Sequence, residues 1–151
     1  MVLEKSDIIA YLPQRDPFLM VDRVAEFDVV KGIAAELDLP ESLPFFKGHF
    51  PSMPVMPGVM IAEALAQTCG LYIALSARER REEYQKGRIF FLAAANLKFK
   101  SVVRAGETLA MRASFAREYG GLYSFSTEAC GKKGVAASGT IVLASGENVK
   151  L

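Results

Sequence analysis

The sequence has 151 residues, 51% of them apolar, and a formal net charge of +1. A chain of this length and composition fits one folded domain, residues 1–151, and is unlike a disordered segment. The near-neutral charge excludes a global argument for nucleic-acid binding. Two cysteines, Cys69 and Cys130, lack the spacing of a disulfide scaffold or a zinc site, and we expect two free thiols.

The N-terminal third predicts one short helix and two strands. Its first residues hold no basic region followed by a long apolar run, so we expect no secretory signal and a cytoplasmic location. Ser6 is placed as the N-cap of a helix that ends before Pro13. Residues 18–30 are rich in β-branched and aromatic side chains, and residues 33–39 alternate in polarity, so both segments predict strands.

The next segment, residues 40–57, predicts a stiff loop with little regular structure. Besides Pro40 it contains Pro44, Pro51, Pro54 and Pro57, and proline both fixes φ and removes a backbone donor. The loop also carries His49, the only histidine of the chain, flanked by Gly48 and Phe50. A stiff loop that leads into a helix is a good support for a catalytic group.

Residues 55–77 are almost continuously apolar and predict a long helix over about residues 58–80. The run is long enough to resemble a membrane span. It contains Glu63 and Gln67, however, and a carboxylate near the middle of a span is energetically costly. A helix buried in a soluble protein explains the pattern better.

Four further strands are predicted over residues 88–100, 108–117, 122–130 and 135–144. Glycine pairs at 120–121 and at 131 and 134 predict hairpins between the last three, and we expect the four strands to form an antiparallel meander. A helix that is apolar all round needs a sheet wrapped about it. The order of elements therefore predicts an α+β architecture, the hot-dog fold, with a curved antiparallel sheet around one long buried helix.

Three features of this central region indicate acid–base chemistry. An imidazole among aromatic and proline residues is partly desolvated, so His49 is expected to be neutral and able to act as a general base. Glu63, buried on the helix, needs a partner, a polar pocket or a proton, and Gln67 lies four residues on, on the same face. Gly58 opens the helix, where unpaired N–H groups can stabilise a developing negative charge.

Each feature also has a structural interpretation. His49 can be a loop histidine bonded to a backbone carbonyl, Glu63 a carboxylate satisfied by backbone groups, and Gly58 an ordinary helix start. The combination of base, acid and donor within fifteen residues favours a functional site.

Several motifs resemble one family. GHFP at 48–51, PVMPG at 54–58 and EALAQ at 63–67 resemble the signature of bacterial 3-hydroxyacyl-[acyl-carrier-protein] dehydratases of fatty acid synthesis. LPQRDPFLMVDRV at 12–24 resembles the family's opening motif, and KFKSVV at 98–103 its strand after the helix. The similarity covers nearly the whole chain.

The resemblance implies specific roles. His49 and Glu63 would be the catalytic pair, which dehydrates a 3-hydroxyacyl chain carried on acyl carrier protein by a phosphopantetheine arm. Gly58 and Gln67, with Phe50 and Val59, would bind substrate, and neither a metal nor a cofactor is expected. In the family the two catalytic residues of one site come from different subunits of a homodimer, and the dimers associate into a hexamer, a trimer of dimers. A glutamate at position 63 resembles the broad-range branch.

Departures from the family pattern bear on substrate preference and partner, and none of them removes the catalytic pair. Gln14 stands where the family often has histidine, Ser52 where it has glycine, and Ala105 and Glu107 where it has proline and aspartate. The alternatives are a hot-dog acyl thioesterase, a non-catalytic acyl-binding subunit, or a dehydratase of a specialised lipid or polyene pathway. For docking of an acidic carrier protein, the candidate basic residues are Arg78, Arg80, Arg81, Lys86, Arg88, Lys98, Lys100 and Arg104.

Overall fold

A computed structural model describes residues 2–84 and 87–150 of the chain. Its strands and helices, in chain order, are β1 (Leu3–Glu4), α1 (Lys5–Ile8), β2 (Arg23–Asp28), β3 (Gly32–Asp38), α2 (Gly58–Glu79), β4 (Phe90–Phe99), β5 (Thr108–Tyr119), β6 (Leu122–Gly131) and β7 (Gly134–Ser145). Short 3-10 turns occupy Pro44–Lys47 and Gly146–Asn148.

The strands form one antiparallel sheet in the order β1-β2-β3-β5-β6-β7-β4. Helix α2 contacts β3, β4, β5, β6 and β7, so the sheet wraps around the helix. The predicted hot-dog architecture is confirmed. The core lies between the helix and the inner face of the sheet, where Leu65, Leu71, Met111, Phe125 and Ile141 are fully buried.

Helix α2 is the central element of this core. Every residue from Ala64 to Ala77 is buried, which explains why the sequence is apolar on all faces of the helix. Helix α2 is long and apolar enough to cross a membrane, but most of its apolar residues are buried inside the fold. It is the core helix that the sequence predicts, and it begins at Gly58 as expected.

The predicted four-strand meander is wrong in one respect, because β4 does not pair with β5. Instead β4 pairs with β7, as in Leu92↔Leu143, and β5 pairs with β3, as in Ile33↔Ala113. The glycine turns that predict hairpins occur on either side of β6, and both hairpins form. The segment between β4 and β5 carries no such turn. It crosses the end of the fold, so β4 lies at the sheet edge.

The N-terminal elements also differ from the prediction. Helix α1 begins at Lys5 after Glu4, whose N–H donates to Asp7, so Ser6 lies inside the helix and is not its cap. The helix ends at Ile8, and β2 begins at Arg23 instead of residue 18. The backbone around residues 18–20 is held by a helix side chain, described below, and therefore does not join the sheet.

Candidate active site

The proline-rich loop holds His49 through backbone hydrogen bonds. The N–H of Val55 donates to the carbonyl of His49 at 2.8 Å, and the Nδ1 of His49 lies 2.9 Å from the carbonyl of Val55. The ring of Phe50 stacks on the imidazole, with centroids 4.2 Å apart. A carbonyl can only accept, so Nδ1 carries the hydrogen in the neutral ring and Nε2 keeps its lone pair. The bond to a carbonyl thus also orients a potential base.

The crossing segment between β4 and β5 supports this loop from outside. Val55 and Arg104 form an isolated antiparallel bridge, and the N–H of Met56 donates to the carbonyl of Val103 at 2.8 Å. Glu107, one of the departures from the family pattern, is 8% exposed and accepts hydrogen bonds from the backbone N–H groups of Arg104 and Lys132, both at 2.7 Å. Its carboxylate therefore has a structural role, and it fixes the segment on which the loop rests.

Helix α2 begins next to the loop, with Pro57 as N-cap and Gly58 as first residue. A Cβ atom at position 58 would lie 3.0 Å from the ring of Phe99 at the end of β4. The glycine therefore permits close packing of an aromatic ring against the helix start. The N–H groups of Met60 and Ile61 donate to the carbonyl of Pro57, whereas the first N–H groups of a helix have no partner within it and can donate to an electron-rich ligand atom.

Glu63 lies one turn further along α2 and is half-buried. Burial raises the pKa of the Glu63 carboxyl above its ordinary value, and a hydrogen bond from Gln67 opposes the shift by stabilising the carboxylate. The Nε2 of Gln67 donates to the Oε1 of Glu63 at 2.8 Å. The predicted contact between residues 63 and 67 is present.

Gln67 makes two further hydrogen bonds that the sequence does not predict. Its Nε2 also donates to the carbonyl of Phe18 at 2.8 Å, and its Oε1 accepts from the N–H of Met20 at 2.7 Å. The side chain is 2% exposed. One amide thus joins the acid on the helix to the strand-like segment before β2, and it explains why that segment leaves the sheet.

Glu63 opens onto a narrow cavity of about 40 Å³ that follows one face of α2. Its walls are Leu12, Pro13, Gln14, Glu63, Ala66, Gln67, Gly70, Tyr84, Arg88, Phe90, Leu92 and Leu143. The Oε1 atom of Gln14 is buried there without a hydrogen-bond partner among the described residues. Burial also raises the pKa of the Tyr84 phenol, and the charge of Arg88 partly offsets this.

The structure separates the predicted site residues into two groups. Glu63 and Gln67 line the cavity, whereas His49, Phe50, Gly58 and Val59 do not. Phe50 is 48% exposed and Val59 is 78% exposed. Within one chain, as far as it is described, His49 and Glu63 share no hydrogen bond. Sequence reasoning missed Tyr84 and Arg88 as cavity residues, because they follow a run of charges that is typical of a surface.

The two cysteines and the remaining departures, Ser52 and Ala105, lie outside this cavity. No group of three or more His, Cys, Asp and Glu side chains in the described ranges is arranged to hold a metal ion. Cys69, in α2, and Cys130, in β6, are free thiols, as predicted. Of the remaining departures, Ser52 is exposed on the loop and Ala105 packs at the edge of the core.

Comparisons with known proteins agree with this architecture. Residues 12–138 match the family model of a FabA-like domain. The chain is 38% identical over 127 residues to the 3-hydroxyacyl-[acyl-carrier-protein] dehydratase FabZ of Thiobacillus denitrificans, which covers 84% of this chain and 86% of the relative. It is 39% identical over 128 residues to the FabZ of Coxiella burnetii, with 85% and 87% covered.

Solved structures share the fold at low sequence identity. The dehydratase heterocomplex ApeI:P of Xenorhabdus doucetiae superposes with a TM-score of 0.77 at 17% identity, over 91% of this chain and 90% of the other. A hypothetical thioesterase of Streptococcus pneumoniae, solved with coenzyme A, gives 0.59 at 8% identity, over 81% and 83%. The fold alone is therefore common to dehydratases and thioesterases.

Proposed function

This chain belongs to the FabA-like family, and from that membership we propose that it works as a 3-hydroxyacyl-[acyl-carrier-protein] dehydratase of fatty acid biosynthesis, with His49 and Glu63 as its catalytic pair. The assignment of the reaction follows from the FabZ relatives, which match most of the chain. The assignment of Glu63 rests on one observation: its carboxyl is half-buried in a cavity and accepts a hydrogen bond from Gln67, and burial raises its pKa.

The proposed chemistry is an elimination of water across C2 and C3 of the acyl chain. Nε2 of His49 removes a proton from C2 while the thioester carbonyl accepts a hydrogen bond from the N–H of Gly58. The C2–H electron pair forms the double bond, the C3–O bond breaks, and Glu63 gives its proton to the departing hydroxyl. The raised pKa of Glu63 suits this role, because a carboxyl that keeps its proton closer to neutral pH is a usable general acid.

We propose that one site draws on two subunits. Three observations support a homodimer: His49 lies outside the cavity of its own chain's Glu63; β4 is an edge strand; and apolar side chains beside the loop and β4 are exposed. These are Phe50, Met53, Val59, Leu92, Phe99 and Val102. An exposed apolar edge is an unstable surface for a lone subunit. Three such dimers would form the hexamer implied by the family resemblance.

The proposed partner is acyl carrier protein, and the proposed location is the cytoplasm. We propose that residues 1–151 form a single dehydratase domain. Arg104 lies on the segment that supports the His49 loop, and Lys98 and Lys100 are the sequence neighbours of Phe99, whose ring packs at the start of α2. All three are exposed, and we propose them as the docking cations. Arg78 donates to the hydroxyl of Tyr11, and Arg88 faces the cavity, so both are weaker docking candidates. Lys86 lies outside the described residues.

The deciding experiment is mass-spectrometric analysis of 3-hydroxyacyl carrier protein after incubation with the chain. Dehydration removes one water from the acyl group, a thioesterase releases free acid, and a non-catalytic subunit leaves the substrate unchanged. His49→Ala and Glu63→Gln should each lower turnover by about 10²-fold to 10⁴-fold with the fold retained. Full activity in both variants contradicts the assignment of the pair.

The shared site is tested separately by mixing the two inactive variants. A hybrid dimer contains one site with both intact groups, so activity should reappear after subunit exchange. The matched control is each variant incubated alone under the same conditions. No recovery after verified exchange means that each site is built from one chain.

A further inference from the structure

The cavity that contains Glu63 runs toward the C-terminal half of α2. Glu63, Ala66, Gln67 and Gly70 lie on one face of the helix, and the distance along the axis from the first to the last is about 10 Å. A Cβ at Gly70 would lie 3.8 Å from Leu12 and 4.0 Å from Leu143, so β7 closes the cavity at this level. An acyl chain bound with its C3 atom near Glu63 would extend in this direction.

Arg88 stands at the far end of that path. Strand β4 runs opposite to α2, because Phe99 at its end packs on Gly58 at the helix start. Leu92 pairs with Leu143 beside Gly70, and Phe90 pairs with Ser145 two residues further from the helix start. The guanidinium of Arg88 lies 4.8 Å from the centre of the Phe90 ring and donates to Oγ of Ser145 at 3.2 Å. It is therefore fixed at the end remote from Gly58.

Arg88 forms no ion pair with a carboxylate among the residues that the structure describes. Within residues 2–84 and 87–150, no Asp or Glu side chain lies at ion-pair distance from this half-buried guanidinium, although Arg23 in the same chain binds both Glu36 and Asp38. A guanidinium offers five donors in a planar fork, and Ser145 takes only one of them. Any of these donors that a methyl-ended acyl chain covers is left without a partner, which is unfavourable.

We propose that Arg88 is a specificity-determining residue, and that the preferred substrates carry a carboxylate at the end of the acyl chain remote from the thioester. A carboxylate matches the guanidinium fork and neutralises its charge inside the cavity. This inference rests on the proposed dehydratase function and adds the class of acyl chain. The reaction at C2 and C3 is unchanged.

A second path for the acyl chain predicts a different substrate preference. Tyr84 and Arg88 also line a wider cavity of about 460 Å³ at the C-terminal end of α2. Three carboxylates, Glu82, Glu83 and Glu118, line this wider cavity as well but do not line the narrow one. If the side chains of Tyr84 and Arg88 move aside, a long methyl-ended chain can continue from the narrow cavity into the wider one. Recognition of a terminal carboxylate and passage of a long alkyl chain therefore predict opposite preferences.

The test compares three sets of 3-hydroxyacyl carrier substrates of matched lengths, ending in methyl, hydroxyl or carboxylate. For the unmodified protein we expect the highest kcat/KM with a carboxylate, at the length that reaches Arg88. Arg88→Met should lower that value by about tenfold to a hundredfold and leave methyl-ended substrates equal or faster. Arg88→Lys should restore part of the preference, because it keeps the charge but loses the fork.

Arg80→Met is the matched control, since Arg80 is an exposed arginine that lines only the wider cavity. It should not change the order of the three substrate sets. The comparison of substrates on the unmodified protein does not depend on whether any variant folds. A preference for methyl-ended chains at every length overturns the inference and leaves the dehydratase assignment intact. Equal rates with hydroxyl and carboxylate ends also overturn it, because charge is then not recognised. Failure to dehydrate any of the substrates removes the proposed function, and this inference with it.

Discussion

Replacement of Gln67 by methionine tests how the acid is held. Methionine keeps the length of the side chain but removes the amide that binds Phe18, Met20 and Glu63. The N–H of Met20 then stays buried without its partner, which costs about 1–3 kcal/mol, and the lost bond to Phe18 adds about 1 kcal/mol. We expect the free energy of unfolding to fall by about 2–4 kcal/mol and Tm by about 5–15 °C.

The same substitution should change the pH dependence of catalysis. The bond from Gln67 stabilises the ionised form of Glu63, so its removal raises the pKa of that carboxyl further. A general acid must be protonated, and the alkaline limb of the kcat/KM profile should therefore move to higher pH. A purely structural role for Gln67 would lower Tm and leave this limb in place.

The control is Thr68→Val, at the neighbouring buried position. The hydroxyl of Thr68 donates to the carbonyl of Ala64 within the helix, and its loss should cost less than about 1 kcal/mol without moving the pH profile. Thermal melts and pH–rate profiles of both variants form the assay. Equal melting temperatures for the two variants, or an alkaline limb that stays in place in Gln67→Met, would refute this account of the amide.

Three further predictions concern stability. Glu63→Gln should be as stable as the original protein near pH 4 and more stable at pH 8 in urea unfolding, because a carboxyl with a raised folded pKa loses stability as pH rises above its ordinary value of 4.5. Asp38→Asn should remove a contribution to stability that depends on pH in the acid range, because the ion pair with Arg23 lowers the pKa of Asp38 to about 2. In the original protein this stability is lost as pH falls from 3.8 through about 2, and acid titration followed by circular dichroism measures the loss. Gly139→Ala should lower the free energy of unfolding by more than about 3 kcal/mol, since φ is +151° and the added Cβ would lie 2.0 Å from the carbonyl oxygen of Asn96; a soluble variant with unchanged Tm would contradict this.

The features that the sequence predicts correctly depend on local patterns. An almost continuously apolar run after Pro57-Gly58 predicts α2 to within one residue of its observed end. Glycine turns predict both hairpins around β6. The contact between Glu63 and Gln67 follows from a spacing of four residues on one helix, which tertiary packing cannot alter.

The features that it does not predict depend on distant partners. No turn residue indicates whether β4 should pair with β5 or with β7, because the choice is made by the path of residues 100–107 across the fold. The strand-like composition of residues 18–22 is overruled by hydrogen bonds to Gln67, nearly fifty positions away. Arg88 follows a charged run and is interpreted as a surface residue, yet its guanidinium rests on Phe90 inside the cavity wall.

The pairing of β4 with β7 also sets an order of events during synthesis of the chain. The apolar strand Phe90–Phe99 leaves the ribosome before Gly134–Ser145, its partner in the described sheet, has been made. In that interval its backbone donors and acceptors are open to other nascent strands, and we expect chaperones to bind there. Leu92 and Leu143 complete the cavity wall only when the two strands meet. A nascent chain therefore cannot hold an acyl group in this cavity until β7 has emerged.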